Sequence, residues 1–306
     1  MAALAPHKIT FAIAIPLPPL SNSMESKAVT LESLIDTSPS VRSFVNDKLS
    51  LTPEVPVTDF VVQDANYARI MVMAMEDKAY SLISGVLSLV ARSKFNDELL
   101  GFALFRGHLS VTEALLKKDK LTLQDARLGQ FTKLVLKTHF LLSSDDLKEH
   151  DDAMNDPIGL ALLSDNEKVI DYVATRVRPL TSADFVSAVK YGRLASAKRI
   201  HHPSIKAEKM LEALELSLSS SWTEGIEYLL PLVPVNAFKI STVMYSLEQP
   251  DTKIFKTVYS ACYSTLSAGE RDDVVKTATN HNYADVLAVI KEFSSTPPSS
   301  ETKRSS

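Results

Sequence analysis

The sequence predicts an all-α fold, an α-solenoid of about eight stacked helix-turn-helix units. Three observations predict it: a helical template returns about every 29 residues, helix-start signals sit where that template needs them, and glycine is scarce. The 8 glycines in 306 residues are about a third of the usual ~7%. Such a composition suits long helices joined by short turns, and suits β-rich or nucleotide-cradling folds badly.

Hydrophobic residues make up 45% of the chain, enough to bury a sizeable core, so the composition is not that of a disordered protein. The 33 basic and 37 acidic residues give a formal charge of −4 spread along the sequence, which offers no footprint for a phosphate backbone. A partner made of nucleic acid is therefore not expected. Cys262 is the single cysteine and cannot form an internal disulfide; with no His or Arg beside it, it reads as a small buried apolar side chain.

Residues 1–24 read as a targeting or disordered segment. Its run Phe11 to Leu20 (FAIAIPLPPL) is too short to span a bilayer, and Pro16, Pro18 and Pro19 break the helix that a signal peptide would form. Residues 25–64 hold two apolar clusters, around Leu31, Leu34 and Ile35 and around Val41, Phe44, Val45 and Leu49, separated and followed by Pro39, Pro53 and Pro56. They predict a capping segment of short helices. Residues 65–293 carry the repeats. The tail, residues 294–306, has no apolar residue beyond proline after its phenylalanine neighbour and is expected to be disordered.

The repeat is clearest at Ala103, which has Gly107 at +4, Leu109 at +6, Val111 at +8 and Leu115 at +12. Ala188 has Gly192 at +4 and Ile200 at +12; Ala161 and Ala278 have Val169 with Val173, and Val286 with Ile290, at +8 and +12. Weaker copies start at Ala74, Leu128, Leu218 and Ser246, and the eight anchors are 29, 25, 33, 27, 30, 28 and 32 residues apart. A small anchor lets helices approach closely. Glycine or a polar residue at +4 can take the left-handed conformation that ends a helix, and the +8 and +12 residues share one face of a second helix. Thr181 with Asp184 and Ser267 with Glu270 have capping-box spacing before first helices, and Pro231 and Pro234 close a second one.

These segments resemble the ankyrin repeat. Phe102 to Leu116 (FALFRGHLSVTEALL) has the alanine, the Gly107-His108 turn and the later leucines; Asp156 to Val173 places Pro157, Ile158 and Ala161 as that family does; Phe185 to Ile200 is a third copy. Val235-Asn236-Ala237 resembles the inter-repeat hairpin. The resemblance spans roughly residues 65 to 293, without a full T-P-L-H tetrapeptide, and plain helix pairs fit nearly as well. It implies a binding solenoid, with partner contacts on the hairpins and at +2 and +3, the exposed end of each first helix. Of those positions, Phe105, Arg106, Phe131, Lys190 and Tyr191 have the side chains that most often dominate interface energy.

Chemistry-bearing motifs are missing: no two glycines are two, four or five apart, which removes the dinucleotide, nucleophile-elbow and Walker patterns. No histidine pair has metal spacing, and His108 and His281 read as turn residues. Trp222 reads as packing, and the acidic stretch Asp145, Asp146, Glu149, Asp151, Asp152 and Asp156 as a solvated helix start. The expectation is a non-enzymatic adaptor or scaffold that binds a protein partner, with no cofactor, no metal and no membrane span, monomeric by itself and cytoplasmic. A structural subunit of a larger assembly is the alternative, or a secreted effector if the N-terminus is cleaved.

Overall fold

The computed structural model describes residues 31–49, 57–90, 92–140 and 152–295, and every regular element among them is helical. Three short helices, α1 (Leu31–Ile35), α2 (Pro39–Leu49) and α3 (Val57–Val61), come first. Pro39 opens α2, where its missing N–H costs nothing. Helices α1 to α3 pack on the next pair, α4 (Asp64–Glu76) and α5 (Tyr80–Leu89). Ser38 caps α2, its Oγ accepting from Val41 N at 3.2 Å, and Asp77, just past the end of α4, secures that cap by accepting from Ser38 Oγ at 2.6 Å and from Ser40 N and Oγ at 2.9 and 3.0 Å.

Seven helix pairs then follow one plan among the described residues: α4 with α5, α6 (Asn96–Phe105) with α7 (Leu109–Asp119), α9 (Pro157–Ser164) with α10 (Glu167–Ala174), α11 (Ser182–Lys190) with α12 (Leu194–Ile200), α13 (Ala207–Ser219) with α14 (Thr223–Leu229), α15 (Ile240–Leu247) with α16 (Thr252–Cys262), and α17 (Ala268–Asn280) with α18 (Ala284–Ser295). Each first helix packs on the first helices before and after it, so α4, α6, α9, α11, α13, α15 and α17 form one row. The apolar core follows the row in two stretches, Ile35 to Val233 and Val243 to Phe293, with Leu230 and Phe238 packed against both.

One small motif generates the plan. In five pairs the N–H five residues after the anchor bonds the anchor's carbonyl: Ala79 to Ala74 and His108 to Ala103 at 2.8 Å, Arg193 to Ala188, Trp222 to Ser217 and Tyr283 to Ala278 at 2.9 Å. Between them the +4 residue is left-handed, with φ of 55° at Lys78, 76° at Gly107, 64° at Gly192, 52° at Ser221 and 57° at Asn282. This is the Schellman closure, which satisfies the carbonyls that a helix end leaves bare. Asp165 takes the same conformation after α9, and Pro250, whose φ is held near −65°, stands at +4 in the α15 pair instead. Every second helix starts six residues after its anchor.

The structure corrects several expectations. The Leu128 copy is not a repeat: Leu128 lies in an irregular stretch, its N–H bonded to the Met154 carbonyl at 2.8 Å, and α6 packs directly on α9. Residues 120 to 156 are therefore an insertion carrying a 3₁₀ turn (Leu123–Asp125) and α8 (Gln130–Phe140), which reduces eight units to seven. The anchor at Leu218 moves to Ser217, a fully buried small residue, because Ser221 and not Trp222 is left-handed. Val235–Ala237 is a 3₁₀ turn, and no strand occurs among the described residues; Pro234 supplies no N–H for a hairpin ladder. Ser294 and Ser295 belong to α18, whose Phe293 is buried and holds the last turn down. Thr181–Asp184 and Ser267–Glu270 are capping boxes, as their spacing predicts. The readings of residues 1–24 and 296–306 lie outside the described residues.

The turn motif makes a measurable difference between glycine and other residues. A Cβ on Gly192 would meet nothing within 4 Å, so Gly192→Ala should cost only the left-handed backbone penalty, about 1 kcal/mol in urea unfolding. Asn282→Gly should gain up to a few tenths of that amount. Unchanged stability in Gly192→Ala would remove this account of the turn.

Candidate interaction surface

The positions at +2 and +3 divide into two groups along the row. In the first three pairs they are spent on the fold. Glu76 and Arg106, each with a largely buried side chain, form an ion pair that ties α4 to α6, and Arg106 also lies 5.2 Å from the Phe105 ring centre and 5.9 Å from that of Phe102. Burial pushes the Glu76 carboxyl above its ordinary value, and Arg106 works against that rise. Leu163 and Ser164 are buried in α9. Phe105 is half-buried against the core.

In the last four pairs most of these positions face solvent. Lys190 is exposed, its ammonium 3.9 Å from the exposed Asp152 carboxylate and 6.0 Å from the Tyr191 ring centre. Tyr191 is half-buried, and its hydroxyl is raised in pKa by burial and by Asp152. With the anchor at Ser217, Ser219 and Ser220 hold these positions in α13, and they, Glu248, Asn280 and His281 are exposed. Gln249 is the exception: its amide donates to the Leu218 carbonyl at 2.7 Å and joins α15 to α13.

Phe131 stands elsewhere, at the start of α8, where its ring lies 4.6 Å from that of Phe95. Beside it Thr132 donates from N and Oγ1 to Glu98 at 3.0 and 3.1 Å. These contacts hold α8 against α4 and α6. The result explains burial along the row: α6 is buried from Leu99 to Leu104, α4 from Tyr67 to Met75 apart from Arg69, and all of α9 is buried, with Ala153 against Gly159. Further on, Ala183 and Lys190 of α11, Glu208, Glu212 and Ser219 of α13, Tyr245 of α15 and Asp272, Lys276 and Thr279 of α17 leave an open side. The five predicted residues are thus not one patch. Phe105 and Arg106 join α6 to α4, Phe131 anchors the insertion, and Lys190 with Tyr191 begins the open stretch.

Sequence reasoning missed a cleft of about 930 Å³ where the insertion leaves and rejoins the row. Arg92, Ser93, Lys94, Asn96 and Asp97 line it from the approach to and start of α6, and Leu121, Gln124 to Arg127 and Asn155 from the insertion. The signal available was the Leu128 copy itself, which has neither a small anchor nor a glycine at +4 and stands an uneven 25 and 33 residues from its neighbours.

The singled-out polar residues have structural surroundings. His108 is buried, with Nδ1 3.1 Å from the Tyr80 hydroxyl, and burial with the Arg106 and Lys78 charges pushes its pKa down to about 4. Asp156 caps α9 by accepting from Gly159 N at 2.9 Å, whereas Asp145, Asp146, Glu149 and Asp151 lie outside the described residues. Cys262 is buried, which pushes its thiol up to about 11. Trp222 is half-buried at the N-cap of α14, over Gly225. Among the described residues no group of three potential metal ligands assembles, and no helix is long and apolar enough to cross a membrane.

No protein-family model, curated protein or solved structure matches the chain.

His108 predicts a pH dependence. Its folded pKa near 4 lies below the ordinary 6.5, so the folded state resists a proton that the unfolded chain accepts. The contribution is intact above pH 6.5 and is lost as pH falls toward 4, about 3 kcal/mol in all. The wild type should lose about 2 kcal/mol more than His108→Gln between pH 7.5 and 5 in urea melts; parallel losses would place His108 in water.

Proposed function

We propose that this chain is a non-enzymatic α-solenoid of degenerate ankyrin-like repeats that binds a protein partner, as an adaptor or scaffold. The observation that carries the reading is the side of the first-helix row left open over α11, α13, α15 and α17. Stacked repeats place equivalent side chains at regular intervals, and an extended open row of this kind is a surface suited to a partner's chain. Its aromatic and basic members include Lys190, Tyr191, the exposed Tyr245 and Lys276, and aromatic side chains are among those that concentrate interface energy.

Over α4, α6 and α9 the same side is taken by the protein's own insertion, so partner contacts are assigned to the second half of the row. Phe105, Arg106 and Phe131 then act by holding that insertion and the α4–α6 contact in place. The alternative, a structural subunit, differs in requiring its partner for folding.

Replacing Lys190, Tyr191 and Tyr245 with alanine should abolish capture of the partner from source cells while circular dichroism and Tm stay near wild type. Replacing Arg106 with alanine should instead lower stability by about 3 kcal/mol, because Glu76 is left buried without its partner. An unchanged set of captured proteins in the triple variant would sink the open-row assignment.

A further inference from the structure

The cleft beside the insertion has an electrostatic character opposite to that of the chain. Its lining holds three cations, Arg92, Lys94 and Arg127, against two carboxylates, Asp97 and Asp125, in a protein of net charge −4. Both carboxylates are already committed. Asp97 pairs with Arg127 and accepts from Glu98 N at 2.9 Å. Asp125 accepts from Thr122 N at 2.7 Å and Thr122 Oγ1 at 2.8 Å, and these hydrogen bonds hold its pKa below the ordinary value.

Two of the cations are not committed in that way. Arg92 and Lys94 are exposed and meet no carboxylate among the described residues; Lys94 lies 5.1 Å from the centre of the Phe95 ring. Also in the lining, the exposed amides of Gln124 and Asn155 make no hydrogen bond among the described residues. Amides can donate and accept, which matches a peptide backbone, while the two cations match side-chain carboxylates. The walls are also fixed. Asn96 accepts from the Tyr67 hydroxyl at 2.9 Å, Phe95 N donates to Ser93 Oγ at 3.2 Å, and Arg127 N donates to the Asp97 carbonyl at 3.4 Å.

We propose that this cleft is a docking site for an acidic peptide segment of the partner protein, with Arg92 and Lys94 binding its carboxylates and Gln124 and Asn155 its backbone. The assignment rests on the protein-binding reading above and adds a second contact region with a stated chemistry. An extended ligand fits better than a lone oxyanion, because the uncommitted groups come from three separate stretches of chain, at 92–94, 124 and 155, that line an open cleft, rather than from one loop.

The test is fluorescence anisotropy of the full chain with a rhodamine-labelled peptide of alternating glutamate and glycine, against a lysine–glycine peptide of equal length. The acidic peptide should bind and the basic one should not, and binding should weaken as ionic strength rises from about 0.01 to 0.1 M and the screening length falls from roughly 30 to 10 Å. Arg92→Gln with Lys94→Gln should cost about tenfold or more in affinity, while Lys206→Gln, on an exposed residue outside the lining, should change nothing. Both variants should melt at the wild-type temperature, since each altered side chain is exposed. Equal binding of the two peptides, no effect of the double variant, or displacement by an equal concentration of inorganic phosphate would each overturn the assignment. Failure of the peptide titration while the Lys190, Tyr191 and Tyr245 variant still loses its partner would remove this cleft and leave the protein-binding reading standing.

Discussion

The structure depends on one backbone constraint: a residue placed four after the anchor must turn left-handed so that the next N–H can close on the anchor's carbonyl. That single inversion ends the first helix, satisfies its last carbonyls and starts the second helix six residues from the anchor. Because the geometry is the same in successive pairs, the first helices fall into one row and each pair buries its apolar face on the next. Lys78 and Ser221 accept this conformation without being glycine at a cost of about 1 kcal/mol each, and Asn282 at a fraction of that, because asparagine tolerates the left-handed region, offset by the burial that the turn makes possible.

Polar contacts fix how each pair sits on its neighbour. Asp77 secures the cap of α2, and Asp165 Oδ1 accepts from Ser196 N at 2.7 Å at the start of α12. Asn166 donates to the Gly107 carbonyl at 3.2 Å, and Glu215 accepts from Ser241 and Thr242 at 2.6 and 2.7 Å. Apolar burial favours stacking but is non-directional; these bonds link identified positions of separate pairs, and thereby set register. The insertion interrupts the sequence of pairs without interrupting the row, since α6 meets α9 directly.

That interruption also divides the surface. Over α4, α6 and α9 that side is covered by α8 and by the segment around Ala153; from α11 onward it is left open among the described residues. A uniform solenoid would present similar positions along its whole length, and here equivalent positions have different work. Arg106 is bound to Glu76, whereas Tyr191, its counterpart two pairs later, stands half-buried beside an exposed lysine.

The sequence by itself determined the helical class, the turn register at Ala103, Ala188, Ala161, Ala74 and Ala278, and the capping boxes at Thr181 and Ser267, because helix ends and apolar spacing are local properties of a few neighbouring residues. It also placed His108 as a turn residue. Tertiary structure alone decided that Leu128 begins no repeat, that Ser217 rather than Leu218 is an anchor, and that Glu76 and Arg106, thirty residues apart, are partners. It alone brought Arg92 and Lys94 into one cleft with Gln124 and Asn155. Such facts depend on which surfaces meet after the chain has stacked, and any helix supplies apolar pairs four apart whether or not a neighbour stacks on it.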